Sequence, residues 1–370
     1  MKITYVAHFK EGGGWSRAAT DYVLCLDKMG VDVACVDIKL TNKQCEIHNK
    51  ILELESKDPN DRDIVVQHVL PHHFVKHRGK KNILYLAFET NSIQYSGWKS
   101  NVKMADEVWV PNKELQQSLI EDGIKNVKYI PHTFDLNKYK EVSQQIDLSL
   151  AKYAFKFYTI IDLNDRKNLD SILRCFHSEF YRDENVALII KASKYGVDPN
   201  ALRSMINGKS EQIRKTMRIH KNVSLHRPEY IITEYLPDEI ILGLHNTCDC
   251  FLNPSHGEGW SIPSFEAMCF GNTPICSNQG GPKDFINSED SDTGSLINGI
   301  HNICYHSDPA FPSLFTGKEF WFVPSEKEIK EKMRFYYETR DKTDKTKGMK
   351  QAENFSYENV GQLILNTLQE

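Results

Sequence analysis

Two carboxylates eight positions apart mark the most informative stretch of this sequence. The run SHGEGWSIPSFEAM, residues 255–268, carries Glu258 before a Gly-Trp-Ser-Ile-Pro turn and Glu266 after it. A buried strand does not tolerate an isolated Glu258, and a regular helix does not tolerate the glycine and proline that follow it. We therefore predict a strand end, a tight loop and a short helix over 263–270. Such an arrangement presents backbone N–H groups to an anion.

Two cations occupy a similar position in an earlier part of the chain. The run IIDLNDRKNLDS follows an apolar strand-like segment, precedes a helical pattern and places Arg166 and Lys167 at the turn. Cations at the carboxyl end of a strand can neutralise an anionic group such as a leaving pyrophosphate. The alternative is that both side chains are surface cations at the start of a helix.

A glycine loop follows the first predicted strand. The run KEGGGWSR has three consecutive glycines directly before a helix predicted over 16–29. Glycine permits positive φ and close approach of the backbone, so Gly13 and Gly14 are candidates to contact a diphosphate or an acceptor. The spacing is not GxGxxG, and a plain tight turn remains an alternative interpretation.

Further polar residues end two strands of the N-terminal half. The runs QHVLPHHF and YLAFETNSIQYSGW place three histidines and one carboxylate there. We consider His68, His72 and His73 as acceptor contacts and Glu89 as a contact of a sugar or an acceptor. A histidine near a strand end is more often a packing or hydrogen-bonding residue, and that alternative stays open.

Composition and length frame these candidates. The chain has 370 residues, 40% hydrophobic and 26% charged, which is typical of a globular protein and allows two domains with their own cores. The formal net charge of −4 argues against a dedicated nucleic-acid-binding protein. Nine cysteines without paired CxxC spacing indicate reduced thiols, and hence a cytoplasmic location or another reducing compartment. No apolar run approaches the about 20 residues of a membrane-spanning helix.

Strand-like runs alternate with amphipathic segments along most of the chain, which predicts α/β architecture with doubly wound parallel sheets. This alternation is interrupted by the polar stretch DLNKYKEVSQQIDLSLAKY. We therefore predict two Rossmann-like domains, 1–145 and 150–350, that face each other across a cleft, with a final helix 356–370 that packs back on the first domain. The Ser-, Asp-, Gly- and Pro-rich residues 287–319 are predicted to form an insertion or a surface loop.

The C-terminal half resembles a known family. Its span from LPDEIILGLHNTCDCFLNP to SNQGG is similar to the C-terminal-domain signature of retaining, nucleotide-sugar-dependent glycosyltransferases of the GT-B fold, the family-four type. The matching features are Asp249 in a strand, the Pro254–Ser255 end, the string Glu258–Ala267, Gly271 after the helix and the Gly280–Gly281 turn. GGGWSRAA, DRKN and FSYENVGQLILNTLQE resemble the first loop, the lysine loop and the closing helix of the family.

The resemblance implies roles for individual residues. Glu258 would hold hydroxyl groups of the transferred sugar, and Glu266 would accept hydrogen bonds from both hydroxyls of a ribose. The helix start would place the diphosphate near the donor-binding residues Gly259, Trp260, Ser261 and Ile262. Arg166 and Lys167 would act on the leaving group, and the acceptor would occupy the N-terminal domain.

Two positions depart from the family pattern. The family often has an arginine five residues before the lysine, where this chain has Asp162, so Arg166 would take over that charge. Many members have a His-Asp pair in the N-terminal domain, where this chain has Phe88, Glu89 and Thr90. The role of a donor-contacting histidine is therefore not transferred, and Glu89 becomes the polar candidate.

We predict a retaining glycosyltransferase that moves a sugar from a nucleoside diphosphate sugar to a saccharide or glycoconjugate acceptor. A nucleotide-sugar 2-epimerase, a nicotinamide-dependent dehydrogenase and a non-catalytic sugar-binding protein remain alternatives. We expect no cofactor and no metal, because the acidic pair Asp290 and Asp292, an Asp-x-Asp run, lies in the polar insertion. The basic run FVKHRGKK, residues 74–81, leaves a peripheral membrane contact open, although such a run is usually a solvated loop.

Overall fold

The computed structural model describes residues 1–39, 45–142, 145–148, 151–217, 226–227, 229–304 and 314–370. These residues form two compact units. Unit 1 comprises Met1–Leu136, Ile303–Trp321 and Glu353–Glu370, and unit 2 comprises Asn137–Asn302 and Phe322–Ala352.

Unit 1 is built on a six-stranded parallel sheet with the strand order β2-β1-β3-β4-β5-β6. The strands are β1 (Lys2–Ala7), β2 (Asp32–Asp37), β3 (Ile64–His68), β4 (Lys81–Tyr85), β5 (Glu107–Val110) and β6 (Val127–Tyr129). The helices are α1 (Gly13–Lys28), α2 (Asn49–Glu55), α3 (Trp98–Val102), α4 (Lys113–Glu121) and α13 (Tyr357–Gln369). Alternate residues of the strands enter two hydrophobic clusters, since successive strand side chains point to opposite faces.

The last helix of the chain packs against the first helix within unit 1. Val360, Ile364 and Leu368 of α13 belong to the same buried cluster as residues of α1. Gly361 allows close approach, because a Cβ at this position would lie 2.6 Å from Cγ of Met29. The C-terminal residues are therefore part of the core of unit 1.

Unit 2 repeats the architecture with the strand order β12-β11-β10-β7-β8-β9, and all five neighbouring pairs of strands are parallel. The strands are β7 (Phe155–Asp162), β8 (Val186–Ser193), β9 (Glu229–Ile232), β10 (Cys250–Asn253), β11 (Ile275–Ser277) and β12 (Ser295–Ile297). Its helices are α6 (Leu169–Glu179), α7 (Pro199–Met217), α8 (Asp238–Thr247), α9 (Ile262–Cys269), α10 (Pro282–Phe285), α11 (Glu326–Thr339) and α12 (Lys345–Ala352).

Short elements carry the chain between the units. Helix α5 (Leu136–Glu141) spans the first passage, and a two-stranded sheet of β13 (Gly299–Ile303) and β14 (Phe320–Pro324) spans two more. Within the described residues, the helices are too short or too polar for any of them to cross a membrane.

The structure differs from the sequence expectations in three places. Helix α1 begins at Gly13, three residues before the predicted start, with Gly12 as its N-cap. The stretch 287–319, predicted as an insertion or a surface loop, contains two strands: β12, which pairs with β11 and buries Ile297 in the core of unit 2, and the exposed β13. Residues Ile303–Trp321 were predicted with the C-terminal domain but cluster with unit 1, where Leu314 enters a hydrophobic core. Residues 305–313 of this stretch lie outside the described residues.

Candidate active site

The two sequence candidates for charge chemistry in unit 2 lie side by side. Nζ of Lys167 is 2.6 Å from Oε1 of Glu258, and Nη1 of Arg166 is 3.4 Å from Oε2 of the same carboxylate. The Glu258 side chain is 7% exposed, whereas the Lys167 and Arg166 side chains are 15% and 19% exposed. The cluster forms because Lys167 follows β7 and Glu258 follows β10, which are adjacent parallel strands whose carboxyl ends share one edge of the sheet.

The two cations determine the charge state of Glu258. Burial alone would raise the pKa of this carboxyl group, but the charges of Lys167 and Arg166 and the hydrogen bond from Lys167 outweigh burial and lower it. Glu258 is therefore an anion at neutral pH. The site combines one fixed negative charge, which accepts hydrogen bonds from hydroxyl groups, with two partly exposed positive charges.

The loop that carries Glu258 is held from two sides. The Asn168 amide donates to the carbonyl of Pro254 at 2.9 Å, and the backbone N–H of His256 donates to the carbonyl of Arg166 at 2.8 Å. The backbone N–H of Glu258 donates to Oε1 of Gln279 at 3.0 Å. These bonds fix the carboxylate relative to the lysine loop, which is the kind of preorganisation that a catalytic site requires.

Helix α9 begins directly after this loop, within one residue of the predicted start. Its N-cap residue Ser261 has φ 74° and ψ 67°, an uncommon left-handed conformation for a residue other than glycine. The side chain of Asn253 donates to Oγ of Ser261 at 2.7 Å and to Oγ of Ser264 at 3.2 Å, which holds this conformation. The strained turn directs the chain from the Glu258 loop into a helix whose first N–H groups favour an anion.

The indole of Trp260 does not face solvent. Its side chain is 2% exposed and packs against Phe265 and Phe285, with ring centroids 6.1 Å and 5.4 Å away. Gly259, Ser261 and Ile262 are also buried. The packed Trp260 indole anchors the loop in the core. A donor could therefore contact Trp260 only through its backbone.

Glu266, the second carboxylate of the sequence pair, is fully buried within α9. The Tyr139 hydroxyl lies 3.4 Å from Oε1 of Glu266, and Nε2 of His245 lies 3.8 Å from Oε2. His245 is itself held, because its Nδ1 lies 2.6 Å from the Tyr158 hydroxyl. The structure thus separates the two carboxylates by role: Glu258 meets two cations, and Glu266 belongs to a buried polar network.

The glycine loop of unit 1 is accessible. Gly13 and Gly14 are both exposed in the first turn of α1, and Gly13 has φ +83°, which favours glycine. Glu89 is half-buried in the segment after β4. These three residues lie where a ligand can reach them.

The three histidines of unit 1 have different environments. His68 is 2% exposed, and its Nδ1 lies 3.1 Å from the Tyr5 hydroxyl. Burial, followed by the charges that His132 and His8 can carry, holds the pKa of His68 well below its usual value. This packing gives His68 a structural role in the core, which differs from the acceptor contact suggested by the sequence. His72 and His73 are exposed in a short 3-10 helix.

The acidic pair set aside in the sequence is neutralised in the structure. Nζ of Lys347 lies 3.1 Å from Asp290 and 2.9 Å from Asp292. Among the described residues, no group of three or more His, Cys, Asp or Glu side chains is arranged to hold a metal ion.

Comparison with known families identifies the domain around this site. Residues 157–302 match the family model of glycosyl transferases group 1. The matched range lies within unit 2 and includes Arg166, Lys167, Glu258 and Glu266.

A curated relative and several solved structures are similar to the chain. The serotype-specific mannosyltransferase WbdA from Escherichia coli is 33% identical over 210 residues, which are 53% of this chain and 24% of the relative. The chain thus spans about a quarter of that relative's length.

Sucrose-phosphate synthase from Thermosynechococcus elongatus aligns with a TM-score of 0.66 at 13% identity, over 100% of this chain and 98% of the other. HepE from Anabaena, solved with UDP-glucose, aligns with a TM-score of 0.61 at 13% identity, over 100% and 99%. These structures confirm the predicted GT-B fold class, with two Rossmann-like domains.

Sequence analysis did not identify several residues that support the candidate site. Gln279 and Asn168 bind the Glu258 loop, and Tyr139 and His245 surround Glu266. Gln279 and Asn168 lie within the motifs SNQGG and DRKN, so their position gave a signal. Tyr139 and His245 gave none, because a sequence pattern does not show which distant side chains meet in a core.

Proposed function

We propose that this chain is a retaining glycosyltransferase that transfers a sugar from a nucleoside diphosphate sugar to an acceptor hydroxyl. The observation that carries the proposal is the ion cluster of Glu258, Lys167 and Arg166 within the group 1 domain. It unites a carboxylate suited to sugar hydroxyls with cations suited to a departing diphosphate.

The chemistry follows from where charge develops. As the bond between the sugar and the diphosphate breaks, negative charge accumulates on the leaving phosphate, and Lys167 and Arg166 stabilise that charge. Glu258 stays ionised beside them and orients the transferred sugar through its hydroxyls. In the front-side displacement that the family resemblance implies, the leaving phosphate helps to take the proton of the acceptor hydroxyl, and the glutamates position the donor without forming a covalent bond.

The remaining assignments are proposals of the same kind. The backbone of Gly259 to Ile262 would contact the donor, and Glu266 would contact the ribose once the donor displaces its present neighbours. In unit 1, Glu89, His72, His73 and the Gly13–Gly14 turn would serve the acceptor or the diphosphate. We expect no metal requirement, because Lys167, Arg166 and the start of α9 supply positive potential.

The donor is best sought with a panel of UDP- and GDP-sugars, and the name of the curated relative makes GDP-mannose the first choice. The full chain is incubated with each donor and an oligosaccharide acceptor in excess EDTA, and proton NMR follows the early product. We expect a glycoside with the anomeric configuration of the donor. An inverted coupling would refute the retaining mechanism, and activity restored only by a divalent ion would refute metal independence.

Donor alone is the second arm of this experiment. A glycosyltransferase converts donor slowly or not at all without an acceptor, whereas a 2-epimerase produces the epimeric nucleotide sugar. Epimer formation without acceptor, or tight binding of a donor with no product for any acceptor, would contradict the proposed function.

A further inference from the structure

A cavity of about 360 Å³ opens on the surface of unit 1. Three segments line it: Asn91–Tyr95 after β4, the end of α4, and Lys318–Phe320. The last of these belongs to the stretch Ile303–Trp321 of unit 1. The volume is near the lower end of the range for small-ligand pockets, about 300–1,000 Å³, so the cavity suits a small ligand.

Two aromatic rings at this cavity are exposed to solvent. Tyr95 is 59% exposed and Phe320 is 39% exposed, and Nζ of Lys318 lies 4.5 Å from the centroid of the Tyr95 ring. Large rings left in water beside polar groups are characteristic of recognition surfaces. A flat ring presents an apolar face on which the C–H face of a pyranose can stack.

The walls of the cavity are held by hydrogen bonds within unit 1. Asn91 clamps Phe320, because its Oδ1 accepts from the backbone N–H of Phe320 at 2.7 Å and its own N–H donates to the Phe320 carbonyl at 3.2 Å. Asp122 accepts from the Ser92 hydroxyl and from the backbone N–H of Ile93, both at 2.7 Å. The backbone of Phe320 and the segment that precedes Tyr95 are therefore held before a ligand arrives, which lowers the entropic cost of binding.

The charges around the cavity argue against an anionic ligand. Among the described residues that line it, Lys318 carries the one positive charge, whereas Glu121, Asp122 and Glu319 carry carboxylates. Glu319 and Asp122 are committed to internal hydrogen bonds. Glu121 and the Gln94 amide are exposed, although Glu121 accepts one hydrogen bond from Gln117 and Gln94 accepts one from Lys99. A neutral molecule with many hydroxyl groups fits this combination of rings, amide and carboxylate.

We infer that this cavity is a subsite for a neutral oligosaccharide, the part of the acceptor that precedes the reacting sugar unit. The inference rests on the proposed glycosyl transfer, but it assigns a site that the transfer chemistry does not require. The same segment after β4 carries Glu89 and Tyr95, which links the subsite to the residue proposed for acceptor contact. Tyr95 and Phe320 stack on the saccharide, and Gln94 and Glu121 bind its hydroxyls.

The test measures saccharide binding by the full chain without donor. Calorimetry and saturation-transfer NMR compare two neutral trisaccharides, α-linked mannotriose and maltotriose, with the anionic trigalacturonate. We expect at least one neutral trisaccharide to bind, and Tyr95→Ala and Phe320→Ala each to weaken that binding about tenfold, the loss of one aromatic contact. Tyr181→Ala is the matched control, since Tyr181 is a 64% exposed tyrosine of unit 2.

A second readout separates this inference from the proposed function. In turnover, the same two variants should raise KM for a trisaccharide acceptor about tenfold and leave kcat within twofold. Thermal unfolding checks that each variant is folded. If Phe320→Ala lowers Tm, the two variants Glu121→Gln and Tyr95→Ala provide the test of saccharide binding instead. Wild-type transfer with unchanged KM in these variants would overturn the subsite and leave the transferase intact. Preference for trigalacturonate, or no trisaccharide binding, would also overturn it. Tyr95-dependent binding without any transfer would refute only the proposed function.

Discussion

At the scale of single residues, the pair of Lys167 and Glu258 is the feature that most needs explaining. A buried ion pair often adds little stability, because removing both charges from water costs about as much as their attraction returns. Glu258 is 7% exposed and faces two cations, yet the surrounding loops hold all three groups in place. Ligand positioning explains this arrangement better than fold stability does.

The first prediction concerns these cations. Lys167→Ala and Arg166→Ala should each lower turnover by at least about a hundredfold, the scale of losing one preorganised charge at a transition state. Initial rates at saturating donor measure the effect. Lys209→Ala is the control, because Lys209 pairs with Asp170 on the surface of the same unit at 2.6 Å and lies outside the cluster. Near-normal rates in both cluster variants would rule out their role at the diphosphate.

The second prediction separates the two carboxylates. Glu258→Gln should leave the affinity for free UDP or GDP nearly unchanged and cut sugar transfer, because its proposed contact is with the transferred sugar. Glu266→Gln should weaken binding of the free nucleoside diphosphate, because the proposed contact of Glu266 is with the ribose. Titration calorimetry with UDP and GDP measures both variants.

The burial of Glu266 sharpens that prediction. Since Glu266 is fully buried beside Tyr139 and His245, a ribose can reach it only if the donor displaces part of this network. Tyr139→Phe removes one neighbour at 3.4 Å and should preserve or improve nucleotide affinity. Equal affinity in the wild type and in Glu266→Gln would show that Glu266 is structural.

At the scale of elements, a glycine turn supports the loop that carries Glu258 by close approach. A Cβ at Gly280 would lie 1.9 Å from the carbonyl oxygen of Glu258, and a Cβ at Gly281 would lie 2.4 Å from Cα of Trp260. Gly280 also has φ +66°. The Gly-Gly pair therefore lets the turn after β11 pack against the loop after β10, which fixes the backbone that carries Glu258.

The third prediction tests this packing. Gly280→Ala should lower the free energy of unfolding by about 2–5 kcal/mol, from left-handed strain and from the clash with Glu258. Gly196→Ala is matched in conformation, with φ +74°, but has no atom within 4 Å of its Cβ, so it should lose only about 1–2 kcal/mol. Denaturant unfolding compares the two. Equal losses of unfolding free energy in the two variants would show that the close approach does not contribute to stability.

The sequence predicted the elements whose patterns were regular. Helix α9 begins one residue from its predicted start, because Pro263 and Gly271 mark the two ends of a short helix. The start of α1 at Gly13 was missed, since glycine has low helix propensity and only the structure shows that the helix includes it. Strand β12 was not predicted because its three residues, within a polar stretch, are too few to show the alternating pattern of a strand.

The site was predictable to the same degree. Residues 91 positions apart, Lys167 and Glu258, could be expected near each other because both follow parallel strands, and the structure places them 2.6 Å apart. The burial of Glu266 could not be expected, since Tyr139 lies 127 positions away and its contact depends on tertiary packing. The burial of His68 in an aromatic cluster has the same origin.

At the scale of the whole molecule, the chain does not divide into two consecutive domains. Unit 1 takes residues from three separate stretches, and its last stretch, Glu353–Glu370, is the end of the chain. The predicted boundary between 145 and 150 lies near the first passage at Leu136, and the final helix 356–370 was predicted to return to the first domain, but the return of Ile303–Trp321 was not predicted. Unit 1 therefore depends on residues that are far apart in the sequence.

The fourth prediction tests that dependence with a chain that ends at Ala352. Such a chain lacks α13, whose Val360, Ile364 and Leu368 are buried in the core of unit 1. Burying one such side chain contributes about 1.5–3 kcal/mol, so losing three removes a sum comparable to the about 5–15 kcal/mol that stabilises a whole domain. Hydrogen exchange should show lost protection in β1 and β3, while β7 and β8 of unit 2 keep theirs. A chain lacking only Glu370, whose exposed carboxylate pairs with Lys128, is the control and should exchange like the full chain. Full protection of β1 and β3 in the shortened chain would mean that unit 1 folds without its C-terminal helix, and the packing of α13 on α1 would then be peripheral to its stability.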